Sequence, residues 1–175
     1  MEENYCIKIE NISKSYKKQK VLKGISFNIK EGEIFGLLGP SGAGKTTLIR
    51  LIMGMEKSNN GEITILDKKV PNQKVIENIG YTAQADALYI DLSAEENMKF
   101  YCRLYKIPKK ERNARIDECL SVVNLNDDKK KIVNNFSGGM KRRLSLAISL
   151  IHRPKVLILD EPTVAVDPQS RNNIL

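Results

Sequence analysis

Nine consecutive residues carry the most specific chemistry in the chain. Gly39-Pro40-Ser41-Gly42-Ala43-Gly44-Lys45-Thr46-Thr47 fit the spacing G-x-x-x-x-G-K-[ST]. Glycines at these positions let successive backbone N–H groups curl toward one point, and a helix opening at Lys45 adds partial positive charge at the same place. In such a loop Lys45 reaches the β- and γ-phosphates and Thr46 offers its hydroxyl to Mg2+. A second group, Asp160-Glu161, follows the apolar run Val156–Leu159. Open α/β sheets bind ligands at that carboxyl edge. There Asp160 can hold Mg2+ through a water, while Glu161, pointing the other way, can polarise a water for in-line attack on the γ-phosphate. Alone, Leu159-Asp160-Glu161-Pro162 also reads as a strand ending at a turn; beside a phosphate loop it reads as a hydrolytic pair.

The third group is Phe136-Ser137-Gly138-Gly139-Met140-Lys141-Arg142-Arg143-Leu144. Two readings stand. Ser137 is an N-cap beside flexible glycines, or this is a second phosphate-binding helix start, with Ser137 and bare N–H groups offered to a nucleotide. Three cations in the first turns oppose the helix dipole, which capping alone explains poorly.

Strands and helices must deliver these groups. Residues 7–10 and 21–29, rich in Ile, Val and Phe, predict an antiparallel pair around the polar Tyr16-Lys17-Lys18-Gln19. After a turn at Glu31-Gly32, the nearly continuous apolar residues 33–38 predict a strand ending at Gly39, and residues 45–53 a helix. Residues 62–66 and 79–82 predict further strands. Ser93-Ala94-Glu95-Glu96 is a capping box, and Ala94, Met98, Tyr101, Cys102 and Tyr105 recur at helical spacing until Pro108. A second helix has Ile116, Leu120 and Val123 on one face. Residues 93–135 thus read as an inserted helical subdomain. A third helix, capped by Ser137, aligns Met140, Leu144, Ala147, Ile148 and Ile151, with His152 as a cation capping its C-terminal end. Residues 156–159 predict a fully buried strand of a parallel sheet covered on both faces.

Composition bounds these readings. The chain has 175 residues, formal net charge +8, 41% hydrophobic and 29% charged residues, which fits one globular domain and excludes disordered and collagen-like classes. No apolar run approaches the roughly 20 residues of a membrane-spanning helix. The acidic start Met1-Glu2-Glu3-Asn4 lacks the basic flank of a signal peptide, so a cytosolic setting is expected. Cys6, Cys102 and Cys119 are odd in number and widely separated, which predicts reduced packing thiols. Lysines scattered along the chain read as solvated surface.

With these motifs in this order, the chain resembles the ATP-binding cassette (ABC) family along essentially its whole length. That resemblance implies an α/β P-loop NTPase fold with an N-terminal antiparallel β region and a helical subdomain at about residues 93–152, binding ATP and Mg2+. It implies Tyr16 as the aromatic residue stacking on adenine, residues 39–47 as the Walker A loop, and Gln84 as the Q-loop glutamine serving metal and catalysis. Ser137, Gly138 and Gly139 stand as the signature, Asp160 and Glu161 as the Walker B pair with Glu161 as base, and residues 164–167, with Asp167, as the D-loop. Two such domains pair head to tail, each ATP between one Walker A loop and the other's signature. A separate multi-span permease places them at the inner face of the membrane. Met140 stands where glutamine is commoner, and Met140 followed by Lys-Arg-Arg-Leu is similar to the branch serving bacterial drug and antibiotic exporters, including the linearmycin-resistance type. Ala165 stands where that branch has glycine. The family's switch histidine follows the D-loop by tens of residues, whereas His152 precedes Walker B and the chain stops at Leu175. The resemblance therefore implies a C-terminally truncated cassette with poor turnover alone.

The expected function is the ATPase subunit of an exporter, with no nucleic acid as partner. A soluble cassette acting on nucleic acid or ribosomes is the alternative, but such relatives carry a long coiled coil or two cassettes, and the stretch from Lys45 to Ser137 holds no heptad run. A fragment that binds nucleotide without turnover is the third reading.

Overall fold

The computed structural model describes residues 4–83 and 87–160, which fall into two compact units, Met1–Glu77 and Asn78–Leu175. In the first unit β1 (Tyr5–Tyr16) and β2 (Gln19–Lys30) form an antiparallel hairpin. Tyr16 sits opposite Gln19, so the turn is Lys17-Lys18, as the polar interruption predicts. β3 (Asn60–Ile65) pairs with the other edge of β1, and β4 (Lys68–Lys69) completes a sheet of order β2-β1-β3-β4. Period-two alternation puts Ile7 opposite Ile65 and Ile9 opposite Ile63, all four buried. α1 (Lys45–Ile52) buries Leu48, Ile49, Leu51 and Ile52, and α2 (Gln73–Ile76) is capped by Asn72.

The expected strand at residues 33–38 is not formed. These residues lie in no strand among the described residues, and Ile34 and Leu38 are 94% and 93% exposed. An apolar run becomes a strand only where a neighbour satisfies its N–H and C=O groups, and none of the described residues supplies that edge. Within the run Phe35 stacks on Phe27 with ring centroids 4.8 Å apart, and Glu33 is tied to Lys30, whose N–H donates to Glu33 Oε2 at 2.8 Å.

In the second unit β5 (Ile79–Thr82) pairs in parallel with β6 (Val156–Leu159). Between them run α3 (Ala94–Leu104), α4 (Arg112–Val122) and α5 (Gly138–Leu150). The capping box opens α3: the Ser93 N–H donates to Glu96 Oε2 at 2.8 Å and the Glu96 N–H donates to Ser93 Oγ at 3.2 Å. Met98, Cys102, Ile116, Leu120, Leu144, Ala147 and Ile151 interdigitate in one buried cluster. All three cysteines are free thiols, and burial pushes the Cys119 thiol up to about 11, an inert packing group. Gly80 lets α5 lie against β5: a Cβ there would stand 2.4 Å from the Ser149 carbonyl oxygen.

Two expectations need correction here. Only Val156 of β6 is buried and Leu157 is 40% exposed, because β5 is the single strand paired with β6 among the described residues. His152 does not cap α5. Its ring stacks on Tyr105 at 4.1 Å, with Nε2 3.1 Å from Ile79 O, and burial holds its pKa below the ordinary value, so it is no dipole-facing cation.

Candidate phosphate-binding site

The glycine loop stands directly before α1, as the motif requires. Gly44 is the N-cap residue at φ 94°, a left-handed conformation, and a Cβ there would fall 2.8 Å from Leu22 Cδ2 and 3.1 Å from Val21 Cγ1. The hairpin therefore supports the loop from beneath, and only glycine fits. The Ala43 N–H donates to Pro40 O at 3.2 Å, closing the turn. Lys45 Nζ donates to Gly39 O at 2.7 Å and Pro40 O at 2.9 Å, which holds the ammonium against the loop. Ser41, Gly42 and Thr46 are exposed.

Tyr16, expected to stack on adenine, ends β1 and is 41% exposed. Its hydroxyl donates to the Glu56 carboxylate, which also lies 3.2 Å from Lys14 Nζ and 3.6 Å from Arg50 Nη1. Lys14 Nζ stands 5.1 Å from the Tyr16 ring centroid. The bond to Glu56 raises the phenol's pKa, and the same bond, followed by Lys14, lowers that of Glu56. Glu56 was not legible as a partner, since nothing in its local sequence announces a carboxylate under the hairpin tip.

The second unit carries the other groups. Asp160 ends β6, 7% exposed, its N–H donating to Thr82 O at 3.0 Å. Among the described residues its carboxylate has neither a hydrogen-bond nor an ion-pair partner. A buried carboxylate so placed suits a hydrated cation. No three-ligand His, Cys, Asp or Glu cluster exists among the described residues. In the first unit a cradle that only glycine fits, an ammonium and a hydroxyl suit a polyphosphate; in the second unit the Asp160 carboxylate, by itself, suits a hydrated cation such as Mg2+. Gln84, Glu161 and Asp167 lie outside the described residues.

At the start of α5, Ser137 Oγ accepts from the Met140 N–H at 3.2 Å, so the side chain is an N-cap. Ser137 and Gly138 are exposed and Gly139 is buried. Two of the three cations that capping left unexplained, Arg142 and Arg143, have other partners. Arg142, 5% exposed, donates through Nη1 to Ala83 O and through Nη2 to Asp160 O. Arg143 Nη1 donates to Val123 O at 3.1 Å and Asn124 O at 3.2 Å. Carbonyl acceptors offset the unfavourable helix dipole at both Arg142 and Arg143.

Comparison with known proteins matches residues 22–164 to the ABC transporter family. The chain is 45% identical over 171 residues to the linearmycin resistance ATP-binding protein LnrL of Bacillus subtilis (strain 168), covering 97% of this chain and 55% of that protein. It is 41% identical to the Nod factor export ATP-binding protein I of Rhizobium meliloti (strain 1021), covering 97% of this chain and 51% of that one. The chain thus spans about half the length of the curated relatives it matches. Among solved structures, a dimeric ATP-binding cassette in a post-hydrolysis state with ADP and phosphate superposes with a TM-score of 0.83 at 31% identity, over 96% of this chain and 79% of that one.

Proposed function

The chain belongs to the ABC transporter family, and we propose that it is the ATP-binding and ATP-hydrolysing part of a bacterial exporter of a drug or antibiotic. The observation that carries this reading is the loop of residues 39–44 delivering Lys45 and Thr46 at the opening of α1, with Gly44 fixed on the hairpin. The loop takes the phosphates of ATP. Lys45 exchanges the Gly39 and Pro40 carbonyls for β- and γ-phosphate oxygens, and Thr46 with Asp160 holds Mg2+. Mg2+ supplies charge neutralisation on the phosphates as the γ-phosphoryl group departs. Glu161 accepts the proton of the attacking water, and Gln84 serves the metal and that water.

Tyr16 stacks on adenine. Ser137, Gly138 and Gly139 of one copy face the ATP of a second in a head-to-tail dimer, for which the dimeric cassette bound to ADP and phosphate is support. No helix among the described residues is long and apolar enough to cross a membrane. In this reading the transport path is a separate permease, with the chain at the cytoplasmic face of the membrane. Relatives named for linearmycin resistance and Nod factor export support the exporter reading.

Titration calorimetry with Mg·ATP tests the site. Lys45→Ala removes a charge-assisted bond and is expected to weaken binding by about 10–100-fold. Glu161→Gln is expected to leave binding intact while prolonging an ATP-dependent dimer, which Ser137→Arg then abolishes. Unchanged affinity in Lys45→Ala overturns the phosphate assignment; a monomer at all ATP concentrations in Glu161→Gln overturns the dimer.

A further inference from the structure

We propose that Arg142 is a positioning residue for the nucleotide site, a buried guanidinium on the first turns of α5 that holds the carboxyl ends of β5 and β6 together and so sets the Asp160 carboxylate for Mg2+. The inference rests on the ATP reading above and adds a residue to it. Arg142 is 5% exposed, and a buried guanidinium survives only where acceptors meet its fork of N–H groups. Here Nη1 takes the carbonyl of Ala83 and Nη2 the carbonyl of Asp160, one from each strand end. These carbonyls lie just where the parallel ladder finishes, since the last paired residues are Thr82 and Leu159. Among the described residues the ladder goes no further, and one planar cation bridges both carbonyls.

Each held residue immediately precedes a side chain used by the proposed reaction: Ala83 precedes Gln84 and Asp160 precedes Glu161. Fixing the Asp160 carbonyl fixes the backbone that carries the Asp160 carboxylate. Ala87 is held from α3, where the Tyr101 hydroxyl donates to Ala87 O at 2.7 Å. Through Arg142 the turn opened by Ser137 and the strand end bearing Asp160 become one mechanical piece. A lysine at this position carries the charge on one nitrogen and lacks the fork by which Nη1 meets one strand end and Nη2 the other.

The test compares the full chain with R142K and R142M by three measurements: melting temperature, residue-resolved amide exchange, and ATP affinity with Mg2+ and with chelator. The Asp160 amide, which donates to Thr82 O across the strand ends, is expected to exchange faster by at least about tenfold in R142K, with α3 and α4 unchanged. The gain in ATP affinity conferred by Mg2+ is expected to fall by about 10–100-fold, the usual loss on removing an outer-shell support. ATP affinity without Mg2+ stays at the parent value. R142M is expected to show the larger loss; if it does not fold, R142K decides alone. An undiminished Mg2+ gain in R142K, or exchange that quickens uniformly through the unit, overturns the proposal. If the parent chain binds no ATP, the nucleotide reading fails, and an Asp160 amide indifferent to R142K then overturns the clamp independently.

Discussion

Leu144 and Leu38 are the same residue type with opposite fates: the first is fully buried on α5, and the second is 93% exposed beside the phosphate loop. The difference lies in what each element needs before it can bury anything. A helix satisfies its own backbone, so α3 and α5, capped by Ser93 and Ser137, present apolar stripes that meet in one cluster. An extended run satisfies its backbone only through a neighbour. Residues 33–38 have no such neighbour among the described residues, and Ile34 and Leu38 stay in contact with solvent. Apolar content predicts burial for the helix stripe and only the capacity for burial in the extended run.

The sharpest way to break this contrast is to remove volume from the helical cluster. Leu144→Ala is expected to lower stability by about 2–5 kcal/mol in denaturant unfolding, the cost of a transfer loss plus a cavity. A cost well under 1 kcal/mol would mean that the cluster is loosely packed. A smaller effect follows from His152. Burial holds this imidazole below its ordinary value, so the unfolded chain takes up the proton first as the pH falls. Its stabilising contribution is complete above about 6.5 and is lost as the pH falls through that value toward the lower folded one. His152→Phe keeps a ring against Tyr105 while removing the titration, and is expected to flatten the fall in melting temperature between about pH 7.5 and about 5.5. A fall as steep as the parent's would assign the pH dependence elsewhere. The smallest effect is expected at Ile34→Lys, within about 0.5 kcal/mol, as for a surface change. A loss comparable to that of Leu144→Ala would show that a part of the chain outside the described residues covers the run.

Much of the second unit was legible because its signals are local. The Ser93 capping box, the spacing of Ala94, Met98 and Cys102, and the serine opening α5 each specify structure within a few residues. The glycine loop was legible for the same reason, since Gly44 and Lys45 act within one turn. The misread features depend on distant chain. The strand at residues 33–38 requires a partner that no periodicity reveals. Arg142 was visible as a misplaced cation, but its acceptors, Ala83 and Asp160, are remote in sequence. His152 looked like a cap because its neighbours are helical, whereas its contacts come from Tyr105 and Ile79. A charge that conflicts with its local helix signals a long-range acceptor.

Gly80 turns the second unit into a lever. Its absent side chain lets the Ser149 carbonyl rest on β5, and Ser149 and Arg142 lie seven residues apart, two turns along α5. Over that span the helix rises about 10 Å, so Gly80 is a fulcrum and Arg142 the far end of the beam. One methyl group at the fulcrum would tilt the helix against the strand ends that Arg142 grips, without touching either held carbonyl. A single hydrogen atom within β5 thus sets how α5 meets the ends of both strands.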